Sequence, residues 1–182
     1  MAAKTETTVG DLYRYRGKAE LVRGIARIME PAPGMASNAG GAIYASLRAY
    51  VKATARGTAY PDNAAFLVDL PNRQSFSPDA AYYIGPPPSM KFQQGAPAFA
   101  AEVRSASDYG PVGEREMRDK RADYFAAGTL VVWDVDLLNE DTVRVFRDGN
   151  ADLPAVVYRR GQTAEAEPAV PDWRFPVDEL FE

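Results

Sequence analysis

The run "AELVRGIARIM" (Ala19 to Met29) sets two short, mostly apolar stretches around Arg23-Gly24 and predicts a β-hairpin. "PAPG" ends it. The stretch "PAPGMASNAGG" is rich in glycine but lacks the lysine and spacing of a phosphate-binding loop, so it reads as a linker. Ser37 is placed to cap a helix from about Asn38 to Ala55, in which Ile43, Leu47, Tyr50 and Val51 recur at helical spacing and after which Gly57 follows. "NAAFLVDL" (Asn63 to Leu70) reads as a strand, "PNRQ" as a turn, and "FSPDAAYYIG" (Phe76 to Gly85) as a second strand closed by "GPPPS". "APAFAAEVRS" is a third strand. Glu114 to Ala127 is a helix stopped by Gly128. "TLVVWDV" (Thr129 to Val135) is a continuous apolar run, as a strand buried on both faces requires. "TVRVFRDGN" alternates and turns at Asp148-Gly149, and "PAVVYRRG" returns beside it. "QTAEAEP" is polar and loop-like, and "PDWRFPVDELFE" brings Trp173, Phe175, Leu180 and Phe181 back onto the body.

This order predicts an α/β protein, with a central mixed β-sheet flanked by α-helices and additional hairpins, in one domain over residues 1–182. One strand in it is unusual. In "PAFAAEVRSASD" the side chains of Phe99, Ala101 and Val103 share one face, and those of Ala100, Glu102 and Arg104 share the other. A charged pair on an otherwise small, apolar strand is either a structural ion pair or part of a site.

Composition narrows the chemistry. The 182 residues include no cysteine and no histidine. That removes disulfides, thiol nucleophiles, serine–histidine triads and the cysteine and histidine metal sites. No P-loop motif and no glycine-rich dinucleotide fingerprint is present. Catalysis would have to come from carboxylates, lysines, arginines, tyrosines and hydroxyls, and oxygen ligands favour Mg2+ or Mn2+. The net charge of −4 argues against strong non-specific binding to nucleic acid, though not against a local basic patch. No apolar run reaches the ~20 residues that cross a bilayer, and the N-terminus lacks the apolar stretch of a signal peptide. The expectation is a cytoplasmic protein with no membrane partner.

Three residues stand out: Asp79 after Pro78 at a strand entry, Glu102 in mid-strand, and Lys120 in "REMRDKRADYF". Met117, Lys120, Arg121 and Tyr124 share one helix face, with Tyr124 and Phe125 expected to face the sheet. A lysine beside that seam can bring its ammonium to the strand ends. Two carboxylates on neighbouring strands repel, and a divalent cation between them removes the penalty. Acids, cation and lysine together make a set of parts for phosphodiester hydrolysis. On this reading each acid matters only when the cation is present, so neutralising either should leave metal-free stability level or raise it.

Pro78-Asp79, then Glu102 in "AEVRS", then Lys120 in "KRADYFAAGTLVVWDVD" resembles the Uma-type family of putative restriction endonucleases. "KAELVRGIARIMEPAPG" resembles that family's opening hairpin and "FPVDELF" its closing segment. The resemblance implies a restriction-endonuclease-like fold of the PD-(D/E)XK superfamily and a magnesium-dependent endonuclease acting on DNA. It implies Asp79 and Glu102 as metal ligands, Lys120 as the catalytic lysine, and Glu20 as a further acid completing the site. There are departures. The usual motif has its lysine two residues after the glutamate, where this chain has Arg104, and arginine cannot act as a base. "YGPVGERE" reads as an insertion ahead of the helix, and a histidine common near the start of the first long helix is missing. Two other readings stand beside this one: a catalytically inactive nuclease-fold binding module, and a different two-carboxylate enzyme such as a glycosidase. A homodimer is expected, on the grounds that the Thr142–Tyr158 hairpin and the tail aromatics offer more apolar surface than one small sheet buries.

Overall fold

The computed structural model describes residues 7–182. A one-turn helix α1 (Val9–Leu12) leads into the predicted hairpin, β1 (Ala19–Val22) and β2 (Ile25–Ile28). Arg23 and Gly24 both have positive φ, 51° and 68°, which matches the right-handed twist of the flanking strands. The long helix α2 (Gly34–Thr54) begins four residues before the predicted start. Pro33 is its N-cap and makes no side-chain cap, while Ser37 lies inside the helix and donates its N–H to the Pro33 carbonyl. The supposed linker is therefore helical from Gly34. The chain leaves the helix at Ala55, in the left-handed region at φ 54°.

A strand that the sequence pattern hid, β3 (Thr58–Pro61), follows. Then come β4 (Phe66–Leu70) and β5 (Arg73–Phe76), a hairpin whose second arm begins inside the expected "PNRQ" turn. The strand expected from Phe76 to Gly85 is broken. Its first residue ends β5, and after Ser77-Pro78-Asp79 the chain starts β6 (Ala80–Tyr83) in a different sheet. Proline has no N–H for a ladder, so a strand switch at Pro78 costs no pairing there. The remaining strands are β7 (Gln93–Gln94), β8 (Phe99–Val103), β9 (Val131–Asp136), β10 (Thr142–Arg147), β11 (Val156–Arg159), β12 (Thr163–Ala166) and β13 (Val170–Pro176). β12 occupies the segment expected to be loop. Helix α3 (Gly110–Ala126) absorbs the supposed insertion, opening with Pro111 in its first turn.

Strands β11-β10-β9-β8-β6-β3 form a mixed six-stranded sheet in which only β8 and β9 run parallel. Strands β2-β1-β5-β4-β7 form a second sheet, and β12-β13 a two-stranded ribbon. The alternation read along β8 is the division of the core. Phe99, Ala101 and Val103 join the cluster with Ile43 and Leu47 of α2 and with Trp133, Trp173 and Phe175. Ala100 joins the other cluster, with Tyr124 of α3, Phe66 and Phe76. The tail aromatics are core: Trp173 stacks on Trp133 at 5.1 Å between centroids, and Leu180 is buried. They do not supply the spare apolar surface from which a homodimer was reasoned. No helix among the described residues is long and apolar enough to cross a membrane.

Candidate active site

Four elements converge where the two sheets meet. β1 carries Lys18, just before it, and Glu20; β5 carries Arg73; the β5–β6 switch carries Asp79; β8 carries Glu102 on its α3-facing side. Helix α3 covers them. It brings Lys120 and Tyr124, one turn apart, onto the two oxygens of one carboxylate. Lys120 Nζ donates to Glu102 Oε2 at 2.8 Å, and the Tyr124 hydroxyl donates to Glu102 Oε1 at 2.6 Å. Lys120 also reaches Glu20 Oε1 at 2.9 Å. The backbone N–H of Ser77 donates to the same oxygen, and Arg73 Nη1 donates to Glu20 Oε2 at 2.6 Å. Arg73 is aligned in turn by Asp123 of α3, through Nε at 2.8 Å. The structure thus joins Glu20, Lys120 and Glu102 in one chain of contacts.

Asp79 belongs to the same region through a different lysine. Its Oδ2 accepts the Val103 N–H at 2.7 Å, which ties it to the residue after Glu102. Its Oδ1 accepts from Lys18 Nζ at 2.6 Å, and Lys18 also pairs with Asp62 at 2.7 Å. Helix α2 passes close by: a Cβ on Gly40 would stand 3.3 Å from the Asp79 carbonyl oxygen, a tight contact that would push the Asp79 backbone back by a few tenths of an ångström. Lys18, Asp62, Arg73 and Asp123 were not found from the sequence. Lys18 had a usable signal, since it lies two residues before Glu20 and period 2 puts both on one strand face. Arg73 was hidden by its supposed place in a turn.

The charges are unevenly satisfied. Burial works against ionisation of Glu20, but Lys120 and Arg73, with the Ser77 N–H, overcome it and hold its carboxyl down at about 2. Burial is also the largest influence on Glu102. There it acts with Asp79 and Glu20 and prevails over Lys120, lifting the carboxyl to about 7. Burial disfavours the Lys120 ammonium, yet Glu102 and Glu20 keep its pKa above that of a free lysine. Lys18 follows the same pattern, with Asp79 the chief opposing charge.

Arg104 does something else. On the same sheet face as Glu102 it turns towards β9 and forks onto Asp134, at 2.6 and 2.8 Å, and onto Glu114 of α3. Arg121 reaches Asp134 at 2.9 Å from the other side. Arg104 is therefore not the partner of Glu102, and the position two residues after the glutamate holds a structural arginine.

Asp79 and Glu102 offer only oxygen donors, and lysine ammonium groups already stand against both. That donor chemistry fits a hard divalent cation. Among the described residues no three His, Cys, Asp or Glu side chains form a metal-holding cluster. A cation here would rest on two carboxylates, with water and substrate oxygens completing the shell, as magnesium commonly does.

Comparison with known proteins follows the same lines. The family model Uma2, described as "Putative restriction endonuclease", matches residues 10–178. A solved structure from Anabaena variabilis, described as a putative nuclease belonging to DUF820, superposes with a TM-score of 0.72 at 16% identity. The match covers 96% of this chain and 97% of that one. No curated protein matches the chain. The fold is restriction-endonuclease-like, and the chain belongs to the Uma2 family of putative restriction endonucleases.

Proposed function

We propose that the chain is a magnesium- or manganese-dependent endonuclease that hydrolyses DNA phosphodiester bonds in the cytoplasm. The observation that carries this reading is the Lys120 ammonium, delivered from a helix to within hydrogen-bond reach of both Glu20 and Glu102. Asp79 and Glu102 would hold the cation, which when bound would lower the pKa of coordinated water and offset phosphate charge. Lys120 stands against Glu102 and Glu20 with three donors and no acceptor, so it orients a nucleophilic water or stabilises charge on the phosphate but does not bind the cation. Glu20 and Arg73 position Lys120. Tyr124 holds Glu102 from its second oxygen and fixes the orientation of the carboxylate. The acting species we propose is a homodimer joined through the Thr142–Tyr158 hairpin, where Leu153 is exposed; a light-scattering mass of one chain at micromolar concentration would reject that part.

The test is cleavage of plasmid and oligonucleotide DNA with magnesium, with manganese and with chelator. Cutting should need the cation, and Asp79→Asn, Glu102→Gln and Lys120→Ala should each abolish or severely reduce it. The two acid variants should also lose manganese binding by calorimetry, while Lys120→Ala keeps it. Cutting that survives chelator, or full activity in Asp79→Asn, would sink the assignment.

A further inference from the structure

The five residues Tyr13-Arg14-Tyr15-Arg16-Gly17 are all exposed, and they run directly into Lys18, whose ammonium lies 2.6 Å from Asp79. We propose that this segment, with Met90–Phe92 beside it, is the surface on which a single strand of DNA lies as it enters the site. The proposal rests on the nuclease reading above and names its substrate class: DNA that is unpaired next to the bond to be cut.

The patch is built for a polyanion with free base faces. From Leu12 to Ala19 there are three basic residues and no acid, in a chain of net charge −4. Among the described residues Arg14 is held only by an exposed contact to Asp11 at 3.0 Å, and such pairs are weak enough to yield to a phosphate. Arg16 pairs with no carboxylate among the described residues. Tyr13 is fixed as a platform: its ring stacks on Phe92 at 3.9 Å and 8°, and its hydroxyl accepts the Phe92 N–H at 3.0 Å. Both tyrosines stay well exposed, at 46% and 39%, and the neighbouring Met90 is fully so. Phe92 in turn packs against the small cluster of Leu12, Ala19 and Leu21, and holding Phe92 there would explain the Tyr13 stack alone. It does not explain Tyr15, which among the described residues has neither an aromatic neighbour nor a partner for its hydroxyl.

Reach fits as well. Tyr15 is three residues from Lys18, no more than about 10 Å of extended chain. A base stacked on Tyr15 would place its own or the adjacent phosphate near the acids. The preference for a single strand follows from the aromatics. Arginines alone would hold the phosphates of a duplex, but a tyrosine face can stack only on a base whose face is free.

The experiment is equilibrium binding by fluorescence anisotropy in chelator, so that nothing is cut. It uses a labelled single strand and the duplex of the same sequence. The wild-type chain should bind the single strand at least tenfold tighter. Tyr15→Ala should weaken single-strand binding by about tenfold, the scale of one lost base–aromatic stack, and leave duplex binding unchanged. Arg16→Ala should lower the slope of log affinity against log salt by about 0.7 for the single strand. Both side chains are exposed, so urea midpoints should match wild type and exclude misfolding as the cause. Equal or tighter duplex binding, or an unaltered affinity in Tyr15→Ala, would overturn the proposal. A wild-type chain that shows the predicted binding yet never cuts with magnesium would refute the nuclease reading and leave the strand surface standing.

Discussion

Replacing Lys120 with methionine removes the ammonium that Glu20 and Glu102 share and keeps a side chain of similar length. Removing one partner of a buried ion pair typically costs about 3–5 kcal/mol, because the other charge is stranded. Here the two acids are not stranded equally. Glu20 keeps Arg73 and the Ser77 N–H in direct contact, whereas among the described residues Glu102 keeps the Tyr124 hydroxyl and the more distant charge of Lys18. The loss should therefore fall near the lower end, about 3 kcal/mol, where Glu102 is ionised. It should also depend on pH. With its carboxyl lifted to about 7, Glu102 is mostly protonated at pH 6 and needs no cation there. In the variant its pKa rises further, so the cost grows by about 1.4 kcal/mol per pH unit between the wild-type and variant values. The Lys120 pKa lies above that of a free lysine, so the wild-type reference still carries its ammonium at pH 9. Urea unfolding in chelator at pH 6 and pH 9 reads both numbers. We expect about 1 kcal/mol at pH 6 and about 3 at pH 9. Equal costs at the two pH values would refute the charge assignment at Glu102, and no cost at pH 9 would refute the shared ion pair.

Asp79→Asn should lower metal-free stability by about 1–2 kcal/mol by urea titration, since it weakens a partly exposed pair with Lys18; the sequence argument from repulsion alone predicts no loss, so a neutral result would favour that argument. Wild-type melting temperature should fall as pH rises from about 4.5 towards 7, because folded Glu102 keeps a proton that the unfolded chain has released, and Glu102→Gln should flatten this window. Below about 4.5 the sign reverses: Glu20, held down at about 2, contributes stability that is lost as pH falls through that range. Arg104→Ala should cost about 3 kcal/mol, the lower end for a broken buried pair because Asp134 keeps Arg121, while cleavage per folded molecule stays at the wild-type rate; a folded but inactive variant would move Arg104 into the site.

The legible parts of the sequence were those with a strong period or strong punctuation. The Arg23-Gly24 hairpin, the face division along β8 and the doubly buried β9 follow from spacing, and the structure has all three. Illegible were the places where tertiary structure overrides local pattern. Helix α2 starts at Gly34 without a side-chain cap, so no capping residue announced it. "FSPDAAYY" reads as one strand because its apolar residues run on, but the two halves belong to different sheets. β12 is polar along its exposed positions and hides Ala164 and Ala166, small residues that carry little hydrophobic signal. At the site, Glu20, Asp79, Glu102 and Lys120 were singled out; Lys18 had only its shared strand face with Glu20 to mark it, and Asp62, Arg73 and Asp123 had no local signal. Their importance lies in pairings across 44 or more residues of chain, which no window along the sequence contains.

The same geometry accounts for a lysine on a helix where the related motif has one on the strand. β8 and β9 run parallel with Glu102 opposite Asp134, so the side chain two residues beyond Glu102 arrives beside an aspartate that is almost fully buried. An aspartate there must have a cation, and a guanidinium fork meets both of its oxygens where a lysine would meet one. Arg104 answers that demand and cannot also serve Glu102. Arg121 on α3 answers the same aspartate, which fixes the rotation of the helix over β9. Once Arg121 points at Asp134, Tyr124 and Lys120 necessarily lie on the neighbouring stripe, three residues and one residue away, facing the next strand at Glu102. The two oxygens of that carboxylate are met by two residues four apart, as one helical turn allows. The lysine's position on the helix is thus a consequence of the buried Arg104–Asp134–Arg121 cluster, which both takes the strand position away and sets the phase that replaces it.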